Sequence, residues 1–541
     1  MKLFWSIPCI LVLTVLACGG PPTATPSTLS PPASPSVSNP HFTISVEYAI
    51  LGVAPIYAEA GLTYAKLQDA FVIWGNIQPE AEGAYQWGSL DALVLEYQQA
   101  GFTGLQMNLT AFSPWASSVQ PALGNLGDTF PKEEYLDDYV AYVRAVVERY
   151  DGDRVDDMPG LLYPIHDYGI EREFTGYWPG SADEYVRLLN IAYPAVKAAD
   201  SDGRVLLVAL LMADVFDGNP TLQQIQQRLS VNADFMRKSV PEIRTILAAC
   251  DSYDIVDFHS LANYTEIPQT AQWIRSELKA NGCGEKPIWI GDAFPISALV
   301  GYGGFVPPTP FAPVTLETRD AVVAVLKSIA DPADPQHDAA QAWLYSETAI
   351  GLVRKIIVSA GDGLLGINIG NMEDWKTGVP GVDKASVPML GASLFMGLTN
   401  TTITNQKPGG DLPWNGQLWS KARRAGDHRP AWYALKLVNT KIGIFSSVAK
   451  LGLGAGIWVY RFETLAGLLW VLWYDDGNLY LPGQTPPSVT VQLPFAATSA
   501  LLTWTPTAIG QMTLKTQTLT ASGGKLTFEL GDAPVFITTS P

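Results

Sequence analysis

Eight short apolar or β-branched runs, "TISVEY", "LTYAKLQ", "GLQMNLTA", "LLYPIHDYGI", "RVLLVALL", "DIVDFHSL", "KPIWIGDA" and "LLGINIGN", recur between residues 43 and 371, separated by amphipathic stretches. Strand and helix signals in alternation are the mark of a parallel sheet, because a parallel pair needs a crossover that a helix supplies. In "SLDALVLEYQQA", "YLDDYVAYVRAVVERY" and "SADEYVRLLNIAYPAVKAAD" the apolar residues stand three and four apart, as one buried helix face requires. Eight such units close into a (β/α)8 TIM barrel, expected over residues 43–440. A doubly wound open sheet is the alternative, but no glycine-rich phosphate turn follows the first strand. The stretch from Phe294 to about Asp338, with "GYGGFVPPTPFAPV", is long for a βα connection and is expected to act as a lid.

From residue 441 the period changes. "IWVYRFE", "LLWVLWYD", "SVTVQLP", "ALLTWT", "KLTFEL" and "APVFITT" alternate in hydropathy between Gly, Pro, Asp and Asn turns. This predicts an antiparallel β-sandwich domain over 441–541, with Trp470 and Trp473 in packing roles. A chain of 541 residues is long enough for both units.

The first 18 residues, "MKLFWSIPCILVLTVLAC", carry Lys2, a short apolar run and small residues before a cysteine, the pattern of a secretion signal. "VLAC" followed by "GG" resembles the lipobox of bacterial lipoproteins, which implies cleavage before Cys18 and lipid on that residue. Residues 19–42, rich in Pro, Ser and Thr, read as a spacer that cannot pack a core. A membrane-anchored protein at the bacterial cell surface is the expectation. A formal charge of −18 excludes a nucleic-acid surface, which needs a basic patch. Cys250 and Cys283 each follow a predicted helix, and either a disulfide or two separate thiols fits that placement. No Cys or His spacing suggests a metal site, and histidines number only five.

Catalytic groups of such a barrel sit at the C-terminal ends of its strands. Strand four ends in Glu171 and Glu173, strand six in His259, strand seven in Asp292, and strand eight in Asn371, Glu373, Asp374 and Trp375. Trp74, Trp115, Tyr168, Trp178 and Trp289 lie nearby in the pattern. Carboxylates among aromatic rings suit a carbohydrate site, where sugar faces stack and two acids cleave a glycosidic bond without a cofactor.

These stretches resemble those of the clan of (β/α)8 retaining glycoside hydrolases that carry the acid/base after strand four and the nucleophile after strand seven. "WGNIQPEAEGAYQWGSLDALV" is similar to the clan's early segment, and "FSPWAS" to a strand-three loop with an aromatic sugar contact. "YGIEREFTGYWPGSADEYVRLL" resembles the "W-x-I-x-N-E-P" segment, which puts Glu173 at the acid/base. "DIVDFHSLANY" places His259 near the nucleophile, and "KPIWIGDAF" puts Asp292 at the nucleophile position. The resemblance implies a glycosidase, with Trp74, Trp115, Arg172, Trp178, His259, Asn371 and Trp375 contacting the sugar and Glu171 and Glu373 as alternative carboxylates.

Two positions depart from that pattern. Arg172 replaces an Asn and, being always charged, cannot both donate and accept toward a sugar hydroxyl. Asp292 replaces a Glu and reaches about one bond less far. Both departures favour the competing reading, a carbohydrate-binding lipoprotein without turnover.

Overall fold

The computed structural model describes residues 42–118, 129–231, 238–296, 310–374, 387, 391–404, 412 and 419–539. Cys18 and Trp375 lie outside them, as do residues 297–309 of the expected lid. Its other residues do not form one long loop, because "RDAVVAVLKSI" folds as a helix, Arg319–Ile329.

Strands β1 (Thr43–Ala49), β2 (Tyr64–Leu67), β3 (Gly104–Leu109), β4 (Asp167–Ile170), β5 (Arg204–Leu211), β6 (Ile255–Ser260), β7 (Ile288–Ala293) and β8 (Gly366–Ile369) pair in parallel and close into a barrel. Closure is made by β1 on β8, with Ser45 opposite Asn368. Helices pack around the outside. The helix Ala182–Ala199 starts at a capping box in which the Ser181 hydroxyl accepts from the Glu184 N–H and the Glu184 carboxylate accepts from the Ser181 N–H. Two of the four orphan N–H groups of that helix start are thereby satisfied.

After β8 the hairpin β9 (Thr399–Ile403) and β10 (Arg423–His428) leads to the helix Pro430–Ile442. The hairpin had no counterpart in the hydropathy pattern, because its strands read "TNTTI" and "RRAGDH" and bury only one residue each.

The C-terminal unit contains β11 (Phe445–Gly452), β12 (Ile457–Thr464), β13 (Gly467–Tyr474), β14 (Val489–Pro494), β15 (Ser499–Trp504), β16 (Thr516–Thr520), β17 (Lys525–Leu530) and β18 (Val535–Thr539). One sheet runs β11-β12-β13-β18-β15-β16 and faces the pair β14-β17. Strand β13, "GLLWVLWY", is apolar on both faces for a reason visible in its contacts. Trp470 and Leu472 fill the sandwich core, while Val471 and Trp473 join the core of the barrel. The seam is also polar. Trp473 Nε1 donates to the Tyr264 hydroxyl at 3.2 Å, and Arg354 Nη2 donates to the Asp532 carbonyl at 2.8 Å. Gly361 is required where the barrel meets Tyr460, since a Cβ there would stand 2.2 Å from the ring.

Cys250 and Cys283 are joined by a disulfide, Cα–Cα 5.7 Å, tying the entry to β6 to the entry to β7. The cross-link spans 33 residues, a loop length at which chain entropy alone contributes roughly 3–4 kcal/mol. Changing both cysteines to serine should therefore lower the urea unfolding free energy by about that amount without altering the far-UV spectrum, and an unchanged midpoint would remove this role.

Candidate active site

The carboxylate of Glu173 is placed by a sharp turn directly after β4. Glu171 adopts φ +66°, a left-handed backbone rarely taken by a long side chain, and its carboxylate accepts from the Ala111 N–H at 2.7 Å. The turn is closed by the N–H groups of Tyr177 and Trp178 donating to the Glu173 carbonyl, and it is fixed to β5 by the Leu211 N–H donating to the Thr175 hydroxyl at 2.8 Å. Space for the acid comes from Gly176, where a Cβ would fall 1.6 Å from Glu173 Oε1.

His259 meets this carboxylate from β6. Its Nδ1 lies 2.7 Å from Glu173 Oε2, both side chains being nearly buried. Burial alone would lower the imidazole pKa, but the hydrogen bond and charge of Glu173, with the charges of Asp257 and Asp292, raise it to about 9. The pair is thus an imidazolium–carboxylate contact at neutral pH, a charge-assisted bond in a dry place. Nε2 of the same ring is buried with no hydrogen-bond partner among the described residues.

Asp292 stands beside it, Cα-paired with His259 across β6 and β7. Register shifts flank this pairing, between Phe258 and His259 and again between Ile290 and Ala293. The peptide at Gly291 explains them. Its N–H donates to Asp257 Oδ1 at 2.7 Å, and its carbonyl accepts from Lys66 Nζ at 3.2 Å and from Asn368 Nδ2 at 3.1 Å. A Cβ at this position would stand 2.0 Å from Asp257 Oδ2, so glycine alone fits. Such a bulge re-aims the next side chain, here Asp292. Burial pushes the Asp292 carboxyl above its ordinary range, while His259 and Lys66 pull it down.

A second layer lies beneath. Lys66 of β2 pairs with Glu47 of β1 at 2.9 Å, with side chains 3% and 2% exposed. Burial pushes Glu47 well up against the pull of Lys66, and it pushes Asp257 to about 6. Glu47, Lys66 and Asp257 were missed in the sequence reading, although a signal was present: a charge at an inward-facing position of an apolar strand is rare unless it is paired. Tyr48, at φ +54°, was also missed; it stacks on Trp419 with centroids 6.0 Å apart, and Asp292 is among the charges that raise its pKa after burial.

Other expected contacts are placed differently. Trp74 is wholly buried, with Trp115, Tyr139 and Tyr142 around it and Nε1 donating to Gln78, so it forms wall and offers no face to a sugar. Trp115, partly exposed, packs edge-on to Trp74 and Tyr135. Trp178 is buried with Nε1 on the Ser181 carbonyl. The Arg172 guanidinium lies over the Tyr177 ring at 5.5 Å. Asn371 is buried at the end of β8. Glu373, expected as a reserve carboxylate, is instead held by Arg423 at 3.0 and 3.3 Å in a buried pair, and Asp374 is gripped by Arg429 at 2.6 and 2.9 Å. Glu373 is thus spoken for by the hairpin that follows β8, and Glu171 by its bond to Ala111.

No family model matches the sequence, and no curated protein matches it. Among solved structures, a family 39 glycoside hydrolase from Bacteroides cellulosilyticus superposes with a TM-score of 0.53 at 12% identity, covering 93% of this chain and 81% of that one. A monomeric β-xylosidase from Caulobacter crescentus gives 0.51 at 14%, over 93% and 97%. The fold is that of these glycoside hydrolases. A family 51 α-L-arabinofuranosidase from Bifidobacterium longum gives 0.50 at 13% identity, again over 93% of this chain and 97% of that one. Identities this low carry the barrel and sandwich and not the chemistry.

Holding His259 at about pKa 9 in the folded state, against about 6.5 when unfolded, makes its pairing stabilising below pH 6.5 and progressively lost as pH rises to 9. The contribution is at most about 3 kcal/mol. Denaturant unfolding should therefore show the wild type losing stability between pH 6.5 and 9 by more than His259→Gln does; parallel pH curves for the two would contradict the pairing.

Proposed function

We propose that the chain is a glycoside hydrolase acting outside the cell on the O-glycosidic bonds of an oligosaccharide or polysaccharide. In this reading Glu173 is the general acid/base and Asp292 the carboxylate at the nucleophile position. The observation that carries it is the convergence of Glu173 and Asp292, from strand ends three apart in the barrel order, on one buried imidazole. The barrel and sandwich shared with family 39 and family 51 enzymes are compatible with that reaction class.

The proton between His259 Nδ1 and Glu173 Oε2 is the acid's proton. As the glycosidic C–O bond lengthens, the leaving oxygen takes a proton from the Glu173 carboxyl and the imidazole becomes neutral. Asp292, buried where charges act more strongly, stabilises the developing oxocarbenium carbon or bonds to it. Water then attacks that carbon, displacing the Asp292 carboxylate where it has bonded, and gives one proton to Glu173, which shares it again with His259. Half-buried Tyr177 and Tyr48 supply rings at the mouth. Lipid at Cys18 anchors the enzyme to the bacterial surface, and neither a cofactor nor a nucleic acid enters the scheme.

One observation favours the second reading, a binding protein without turnover. His259 occupies one oxygen of the Glu173 carboxyl at 2.7 Å, and Asp292 is short for its position. The assay is hydrolysis of aryl and alkyl β-glycosides with anomers followed by NMR. Glu173→Gln should lower kcat/KM on alkyl glycosides by about 100- to 10,000-fold while sparing dinitrophenyl glycosides, which need no acid. Asp292→Glu should raise activity, since misplacement by a bond costs on the order of 100-fold. A wild type and Asp292→Glu that are both inert yet bind oligosaccharide would establish the binding reading instead.

A further inference from the structure

We propose that the base of the molecule, at the tip of the β12–β13 hairpin, seats against a lipid bilayer and turns the barrel mouth away from it; the proposal rests on the reading of Cys18 as the lipid-bearing residue. Thr43 opens β1, so Phe42 stands at the N-terminal rim of the barrel, opposite the strand ends that carry Glu173 and Asp292. The ring of Phe42 packs on Phe445, centroids 6.2 Å apart, at the start of β11. Phe445 is paired with Thr464 at the end of β12, and the chain turns there through Leu465 and Ala466 into β13. The far end of β13 is on the mouth side, where Asp475 accepts from the hydroxyl of Tyr264, four residues beyond β6, at 2.5 Å. The sandwich thus spans the height of the barrel, and its hairpin tip lies at the rim where Phe42 stands.

That tip is apolar and open. Leu465 is 88% exposed and Ile444 65%, among the most exposed large apolar side chains of the described residues, and Leu468 is 39% exposed; one hairpin and the residue before β11 carry all three. Apolar side chains grouped at one tip can serve as a contact surface. Its occupant is set by what the chain does next to it. Cys18 stands 24 positions before Phe42, and a Pro-rich spacer of that length, extended at about 3.1 Å per residue, reaches at most about 75 Å. A tether this short keeps the tip at an effective concentration on the order of millimolar toward the membrane, so three side chains that would not hold a free protein there suffice for a tethered one. The contact is apolar and not ionic, because a chain of net charge −18 is repelled by an anionic leaflet.

The test uses the full lipidated chain in phosphatidylcholine vesicles, with an environment-sensitive fluorophore on Leu465→Cys or, beside Asp475 on the mouth side, on Asn478→Cys. The disulfide and the acylated Cys18 leave the new thiol as the one that labels. A blue-shifted emission quenched several-fold more by nitroxide lipid at position 465 than at 478 is expected, and Ile444→Asp should reduce that difference while the protein stays in the membrane fraction. Equal, water-like emission at both positions in a chain that Cys18→Ser releases from the membrane would overturn the docking. If Cys18→Ser remains membrane-bound to the same degree, the tether is wrong and the proposal falls with it, whatever the glycosidase assay gives.

Discussion

The hydrogen bond between His259 and Glu173 is the constraint on which the rest of the mouth depends. A carboxylate and an imidazolium removed from water lose hydration worth several kcal/mol each, and mutual contact at 2.7 Å is what makes the arrangement tolerable. Everything within reach is tuned around it. Asp292 and Asp257 are two further buried acids, and they share two cations, His259 and Lys66. With more acids than bases in a low-dielectric space, the carboxyls are pushed up and the imidazole with them, a condition suited to groups that exchange protons near neutral pH.

The backbone accommodates this cluster with glycine at two close approaches. Gly176 leaves room for the Glu173 carboxylate, and Gly291 lets Asp257 sit against the strand that carries Asp292. At each the missing Cβ is replaced by a carboxylate oxygen, so these glycines belong to the electrostatics as much as to the fold. Around them the aromatic residues divide by exposure: Trp74 and Trp178 build the wall, while Tyr48, Tyr177 and Trp115 keep some surface toward solvent.

The barrel strands were legible because each is a short apolar run bounded by polar turns and followed by a helical period, a pattern imposed by burial on both faces. Strands β9, β10, β11 and β16 were not legible, since they lie at sheet edges or in a polar hairpin and bury too little to alternate. At the candidate site, Glu173, His259 and Asp292 could be singled out because they sit at strand ends, where such a fold places chemistry. Glu47 and Lys66 escaped because they lie inside the strands and find each other only across β1 and β2. The ion pairs that occupy Glu373 and Asp374 escaped for a related reason: their arginines come 50 and 55 residues later, on the hairpin no periodicity announced and at the helix start after it.

The state of one imidazole tests this account most directly. With five histidines in the chain, a 15N-resolved titration can follow His259 alone. His259 should stay protonated through neutral pH and titrate near 9, and Glu173→Gln should lower that value, because the hydrogen bond and charge of Glu173 are then gone while burial remains. A His259 that titrates near 6.5 in the wild type and is unmoved by Glu173→Gln would contradict this account.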